Sequence, residues 1–178
     1  MTLIYSPAED SFLLKKVLEK EIPQSFKKNK NITFLEIGVG SGIQLQVAKN
    51  FEIKNIQGAD INKAAVKHCK QQGFNCIQSN LFSNIKNKFD IIVFNPPYLP
   101  KDKKEDEESK LATTGGKEGS EIINEFLIQA KNHLKKDGKI FLLISSLSEN
   151  INWLNYKKKL VSEEKLFFEK LEVWELTI

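Results

Sequence analysis

The run Asp90-Ile91-Ile92-Val93-Phe94-Asn95-Pro96-Pro97-Tyr98 constrains this chain more than any other. Four apolar residues follow one acid, the pattern of a strand buried in a sheet covered on its faces. Asn95 and two prolines end the strand abruptly and leave one polar side chain at its tip. The prolines fix φ and remove two N–H donors, so the bend offers acceptors without competing donors, and Tyr98 adds a flat aromatic face. Such a bend is a cradle for a planar NH2 group. Asn-Pro is also a common turn dipeptide, so the surroundings must decide between a cradle and a loop opener.

A second strand-like run, Ile32 to Ile37, enters Gly38-Val39-Gly40-Ser41-Gly42, and helical periodicity continues through Val47 and Ala48. Glycines let the backbone come close to a ligand at the start of a helix. The spacing departs from the Gly-x-Gly-x-x-Gly dinucleotide pattern, because Ile43 stands where the third glycine would fall. Glu36, two residues before Gly38, separates the candidate cofactors. A carboxylate there repels pyrophosphate but suits a ligand bearing an amino group and a sulfonium, which is S-adenosylmethionine. A third strand, Asn55 to Asp60, ends in an acid 20 residues after Gly40. In a doubly wound fold that position offers a carboxylate to ribose hydroxyls, and a helix N-cap is its competing role. Asn80, after the short strand Cys76 to Gln78, can pair through its amide with an adenine edge.

The remaining segments read as scaffold. Ser6 as N-cap, Pro7 at the first helical position and acids in the first turn predict a helix carrying Leu13, Leu14, Val17 and Leu18 on one face, with Ser11 set apart as a site candidate. Phe26 to Asn31 reads as a polar connection. His68, Cys69 and His133 read as structural, without metal-spaced partners. Pro100 to Lys110 is rich in Lys, Asp and Glu, and the wider 100–118 stretch reads as a mobile loop or lid. A good amphipathic helix follows, with Ile122, Ile123, Phe126, Leu127, Ala130 and Leu134 on one face, ended by Asp137-Gly138 before a buried strand from Lys139 to Ser145. Two β-prone runs, Tyr156 to Val161 and Leu166 to Ile178, suggest a closing antiparallel pair.

Length sets a single domain over residues 1–178, large enough for a core without disulfides or metals. All 27 basic residues are lysine, so no guanidinium fork exists for bidentate guanine or phosphate contacts, which counts against sequence-specific nucleic-acid readout. Two cysteines match neither a zinc site nor a disulfide framework. No apolar run reaches membrane-span length, and Glu9 and Asp10 interrupt any signal-peptide pattern. A soluble, cytoplasmic protein is expected.

Taken in order, Tyr5-Ser6-Pro7-Ala8-Glu9-Asp10-Ser11, Glu36-Ile37-Gly38-Val39-Gly40-Ser41-Gly42, Asn95-Pro96-Pro97-Tyr98, Gly115-Gly116-Lys117-Glu118-Gly119 and Phe167-Phe168-Glu169-Lys170-Leu171 resemble the HemK-type class I methyltransferases. The likeness is to their short archaeal and eukaryotic branch, and it covers nearly the whole chain. It implies an α/β, Rossmann-like fold with a seven-stranded, mostly parallel sheet, helices on both faces and an antiparallel C-terminal strand. It also implies S-adenosylmethionine-dependent methylation of the glutamine amide in the Gly-Gly-Gln motif of a class-1 translation release factor. A small zinc-binding activator subunit in a heterodimer belongs to the same implication. By position, Ser11, Glu36, Gly38, Gly40, Asp60, Asn80, Leu81 and Asn95 would touch the cofactor, and Asn95, Pro96, Pro97 and Tyr98 would hold the amide, with no metal. Asn80 departs from the family pattern, where an acid is common. An RNA or DNA base amino-methyltransferase, and a catalytically silent cofactor-binding subunit, are the rival expectations.

Overall fold

The computed structural model describes residues 4–28, 31–100, 114–116 and 119–178. Its sheet is built on two strands that are apolar almost throughout, β1 (Thr33–Ile37) and β4 (Phe89–Phe94), with β2 (Asn55–Asp60) and β3 (Cys76–Gln78) flanking β1. Beyond β4 lie β7 (Leu134–Ser145), β9 (Lys170–Thr177) and β8 (Lys157–Lys165), giving seven strands in the order β3-β2-β1-β4-β7-β9-β8. β9 runs antiparallel to both β7 and β8, while the pairings among β1, β2, β3, β4 and β7 are parallel. A separate two-stranded ribbon joins β5 (Leu99–Pro100) to β6 (Thr114–Gly116).

Alternation along β4 divides the core in two. Ile91 and Val93 join Phe34 on the face covered by α1 (Glu9–Lys28), α2 (Ile43–Asn50) and α3 (Lys63–Gln71). Ile92 and Phe94 join Leu35 and Ile37 on the opposite face, under α4 (Glu121–His133). Both faces are therefore dry, which is why these strands carry no polar alternation. The same parity sends Glu36 and Asn95 to the α1–α2 face, since Glu36 stands in register with Val93.

Three boundaries differ from the sequence reading. The first helix starts at Glu9, not Pro7, with Phe12 N–H donating to Ala8 O as its first turn closes, so Tyr5 to Ala8 remain free to run over the sheet end. It also continues through Pro23 to Lys28, taking in part of the expected polar connection. At the other end of the chain, α4 stops at His133 and β7 begins at once. Asp137, at φ +64°, and Gly138 belong to a bulge between the pairings Phe89↔Leu134 and Ile91↔Lys139, not to a helix end. The expected loop at 100–118 lies largely outside the described residues.

Gly58, in β2, is where strand, glycine turn and α2 come closest. A Cβ there would stand 2.6 Å from Val39 Cγ1, 2.7 Å from Cys76 Sγ and 3.1 Å from Leu45 Cδ1. Gly58→Ala should therefore lower the unfolding free energy by about 1–3 kcal/mol, the usual cost of overpacking. Urea denaturation with an unchanged m-value checks this.

Candidate active site

The strand order reverses between β1 and β4, and the carboxyl ends of these strands face the start of α1 across a cavity of about 260 Å³. That switch point is where open α/β sheets bind ligands. Asn95, immediately after β4, lines the cavity with Pro96, Pro97 and Tyr98. Its Nδ2 donates to Asp10 Oδ2 at 2.9 Å, and its Oδ1 is buried with no hydrogen-bond partner. An ionised carboxylate can only accept, so the amide cannot turn over without losing its bond. Asp10 thus holds the Asn95 oxygen as an unpaired, buried acceptor of a residue in the cavity wall. A buried acceptor left open costs about 1–3 kcal/mol, which a ligand N–H would recover.

Asp10 and Tyr5 also line the cavity; the sequence gives Asp10 a role only as a first-turn acid and names Tyr5 only within the Tyr5–Ser11 motif. Tyr5 Oη donates to both Asp10 oxygens, at 3.1 and 3.0 Å, and the Ser11 N–H and Oγ also donate to Oδ1. Burial first, and then the neighbouring Asp10 carboxylate, raise the Tyr5 hydroxyl well above its ordinary value, so it remains a donor. Tyr98 is raised in the same sense by burial, Asp10 and Glu169. Helical phase held the missed signal: Asp10 lies three, four and seven residues before Leu13, Leu14 and Val17, on the buried stripe.

Across the cavity, Glu36 is 3% exposed, and its Oε2 accepts from Leu45 N–H at 3.1 Å, at the start of α2. Desolvation pushes its carboxyl well above the usual range, with Cys69 and Asp60 adding to the shift and the Leu45 bond opposing it. Gln44 donates to Ser11 O at 2.9 Å, leaving its buried Oε1 open. The two orphaned buried acceptors found among the described residues, on Gln44 and Asn95, thus both belong to residues of this cavity wall. Gly38 allows the closest approach of the turn to β4: at φ +69°, its missing Cβ would lie 3.4 Å from the Phe94 ring.

Asp60 accepts from Gly40 N–H at 3.0 Å through Oδ2 and from Asn62 N–H at 2.8 Å through Oδ1. Burial raises its carboxyl, and these backbone bonds pull it back. The competing N-cap role is filled by Asn62, whose Oδ1 accepts from Ala64 N–H at 2.9 Å. Gly40 differs from the other expected contacts. It does not line the cavity; it fixes Asp60 and lies under Tyr5, whose Cβ would be 3.8 Å from an added Cβ. Ser11, Asn80 and Leu81 do line it, Asn80 exposed and Leu81 at φ +46°. That left-handed turn is held by Ser79, whose Oγ donates to Leu81 O at 2.8 Å. Elsewhere, His133 stacks on Phe82 with centroids 4.7 Å apart, and Cys69 Sγ lies 3.7 Å from Gly40 O behind the glycine turn.

The methyltransferase small domain profile matches residues 12–165. The chain belongs to that methyltransferase family. It is 41% identical to a Methanocaldococcus jannaschii protein provisionally named as a protein N5-glutamine methyltransferase, over 96% of this chain and 89% of that one. It is 30% identical to the eRF1 methyltransferase catalytic subunit mtq2 of Schizosaccharomyces pombe, over 79% and 71%. Among solved structures, the ribosomal protein L11 methylase of Lactobacillus delbrueckii subsp. bulgaricus superposes with a TM-score of 0.66 at 18% identity, covering 99% of this chain and 82% of that one. The methyltransferase fold is thus shared well beyond recognisable sequence likeness.

A raised Glu36 carboxyl makes stability depend on pH. Between the ordinary carboxylate range and its raised value, the folded protein keeps a proton that the unfolded chain has released. Stability is therefore full on the acid side and falls as pH climbs through the folded value. Ligand-free Glu36→Gln should melt higher than wild type at pH 8 and show a flatter decline in Tm from pH 5 to 8. Asp60 contributes its own slope in both proteins, so calorimetric melts of the pair isolate Glu36.

Proposed function

We propose that the protein is an S-adenosylmethionine-dependent N-methyltransferase acting on the side-chain amide of a glutamine in another protein, namely the Gly-Gly-Gln glutamine of a class-1 translation release factor. The observation that carries this reading is the Asn95 oxygen, buried, without a partner, and kept in that orientation by Asp10. It asks for a planar N–H donor. Both an amide and a nucleobase amine meet that demand, and the names of the relatives favour the amide.

The cavity's donor set fits S-adenosylmethionine. Glu36 is a buried acid, and no salt bridge reaches it among the described residues, so a cationic ligand suits it. The open Gln44 Oε1 can accept from an amino group, and Asp60 keeps lone pairs for a ribose diol. Asn80 and the Leu81 turn line the cavity, and the Asn80 amide can pair with an adenine edge. When bound, S-adenosylmethionine supplies a methyl group on a positively charged sulfur that leaves as a neutral thioether.

The chain's own task is to present the nitrogen. A carboxamide nitrogen is a poor nucleophile because its lone pair is delocalised into the carbonyl. Asn95 Oδ1 accepts one N–H and the Pro96 carbonyl the other, which orients the nitrogen and stabilises the positive charge that grows on it as the new C–N bond forms. Pro97 and Tyr98 pack on the flat amide. The surplus N–H proton then passes to water or a nearby acceptor, so neither a histidine base nor a metal is called on. A small zinc-binding activator subunit completes the reading as a heterodimer: β3 is a three-residue edge strand with one side unpaired, to which a partner strand can add. A reaction on release factors places the protein in the cytoplasm.

Asn95→Ala should lower single-turnover methyl transfer into the release factor by ~100-fold, the scale of losing one oriented polar contact at a reacting centre, while cofactor affinity holds. Asp10→Ala should lose about 10-fold and Asp10→Asn less, because an asparagine oxygen still accepts from Asn95. Radiolabel that resists nuclease, vanishes with protease and depends on Asn95 supports the reading. Label removed by nuclease overturns it. Separately, Asp60→Ala should weaken cofactor binding roughly 10-fold or more by calorimetry.

A further inference from the structure

The β8–β9 hairpin ends in a turn whose composition the fold does not explain. Leu166 N–H donates to Glu169 O at 2.8 Å, closing the turn around Phe167 and Phe168, which are 92% and 84% exposed. The two rings meet edge to face, with centroids 4.6 Å apart. Central turn positions normally carry Gly, Asn or Asp, residues that suit the backbone and water alike. Here two large apolar side chains stand in solvent, contributing nothing to either core.

The turn is anchored beside the cavity. Leu166 packs against the same core cluster as Tyr98. Ser145 Oγ donates to Glu169 Oε2, Ser146 N–H donates to Lys170 O at 2.8 Å, and Lys170 N–H returns a bond to Ser146 Oγ at 2.9 Å. Two residues on, Ser148 Oγ donates to Tyr98 O at 3.1 Å, fixing the end of the Asn95–Tyr98 bend. Glu169 is also close enough to act on both the Tyr5 and Tyr98 hydroxyls, after burial and Asp10. Hydrogen bonds thus run from the hairpin turn through Ser145, Ser146 and Ser148 to the Asn95–Tyr98 bend.

We propose that Phe167 and Phe168 are a docking element for the folded protein that presents the target glutamine, seating in an apolar pocket beside the glutamine-bearing loop. The proposal rests on the function argued above and names how that substrate is recognised. The turn lies at the end of the sheet that carries the Asn95–Tyr98 bend, with Leu171 paired to Ser145 at the end of β7 and Ser148 bonded to Tyr98. A permanent subunit seated there would crowd the approach to the cradle, so the occupant is the substrate. Paired aromatics on a fastened turn, flanked in sequence by Glu164, Lys165, Glu169 and Lys170, match an anchor of the kind that concentrates binding energy within a polar rim. A short peptide supplies the glutamine but no pocket for the rings, so the tip discriminates a folded substrate from its isolated motif.

The test compares wild type with the double substitutions F167A/F168A and F167L/F168L on two substrates, the folded release factor and a short Gly-Gly-Gln peptide, using the full chain with any copurifying subunit. The alanine pair should raise KM for the folded factor by about 10- to 100-fold and the leucine pair by less. On the peptide, kcat and KM should stay within about twofold for both variants, because the cradle is untouched. Unchanged KM on the folded factor overturns the docking role while leaving the methyltransferase reading intact. Loss of a copurifying subunit or of a second copy from the alanine variant on size exclusion assigns the tip to a subunit interface and also overturns it. Wild type that carries its activator subunit and is still inert on factor and peptide alike refutes the functional reading itself, and the proposal falls with it.

Discussion

The 2.9 Å hydrogen bond from Asn95 Nδ2 to Asp10 Oδ2 joins residues 85 apart in the chain, and the site depends on it. Without Asp10, the Asn95 amide could present either end to the cavity, and a donor turned inward would oppose an incoming N–H. With it, the acceptor is fixed before any ligand arrives, which is electrostatic preorganisation in its plainest form. Tyr5 and Ser11 complete the arrangement by donating to the same carboxylate. Three residues of the N-terminal segment thereby bear on one atom that follows β4.

Sheet geometry makes this meeting possible. Glu36 and Asn95 come from neighbouring parallel strands whose register pairs Glu36 with Val93, so their side chains leave the same face at the same end. α1 covers that face with Leu14, Leu18 and Ile22, all fully buried, and its first turn consequently overhangs the strand ends. A shift of α1 by a quarter turn would carry Asp10 away from Asn95. The apolar stripe of the helix and the position of the site acid are therefore one specification.

What could be read in advance followed from this logic, and what could not followed from its limits. Continuous apolar runs marked β1, β4 and the end of β7, because a strand buried on both faces leaves no alternation to misread. Asn95 and Glu36 are legible as candidates because each ends or interrupts such a run with a polar group, and Asp60 because it closes β2, 20 residues after Gly40. Asp10 is not, because an acid in a first helical turn has a sufficient explanation in the helix dipole. Only its phase against Leu14 and Val17 distinguishes it from Glu9. The end of α4 was misplaced for a related reason: Asp-Gly is punctuation for a helix end and for a bulge alike, and the pairing of Leu134 with Phe89, a long-range contact, decides between them. Gly40, an expected ligand contact, gives its N–H to Asp60 and stands outside the cavity lining, a placement that its position in the glycine turn does not reveal.

The electrostatics of the cavity narrow its ligands further than any motif does. The chain carries a net charge of +4, yet the cavity gathers Asp10, Glu36 and Asp60, and no salt bridge among the described residues reaches them. Lysines pair instead with Asp90, Glu21, Glu175 and Glu163 away from the cavity. Burial raises Glu36 and Asp60, and no salt bridge among the described residues offsets it, so ionising them inside the cavity carries a desolvation cost. A pyrophosphate-bearing dinucleotide would increase that cost, and a neutral ligand would leave it unchanged. A ligand with cationic groups reverses it, and its binding energy then includes the relief of acids that hydrogen bonds hold but that no salt bridge reaches among the described residues. A variant that paired one of these carboxylates with an internal cation would therefore gain stability at the expense of a cationic ligand.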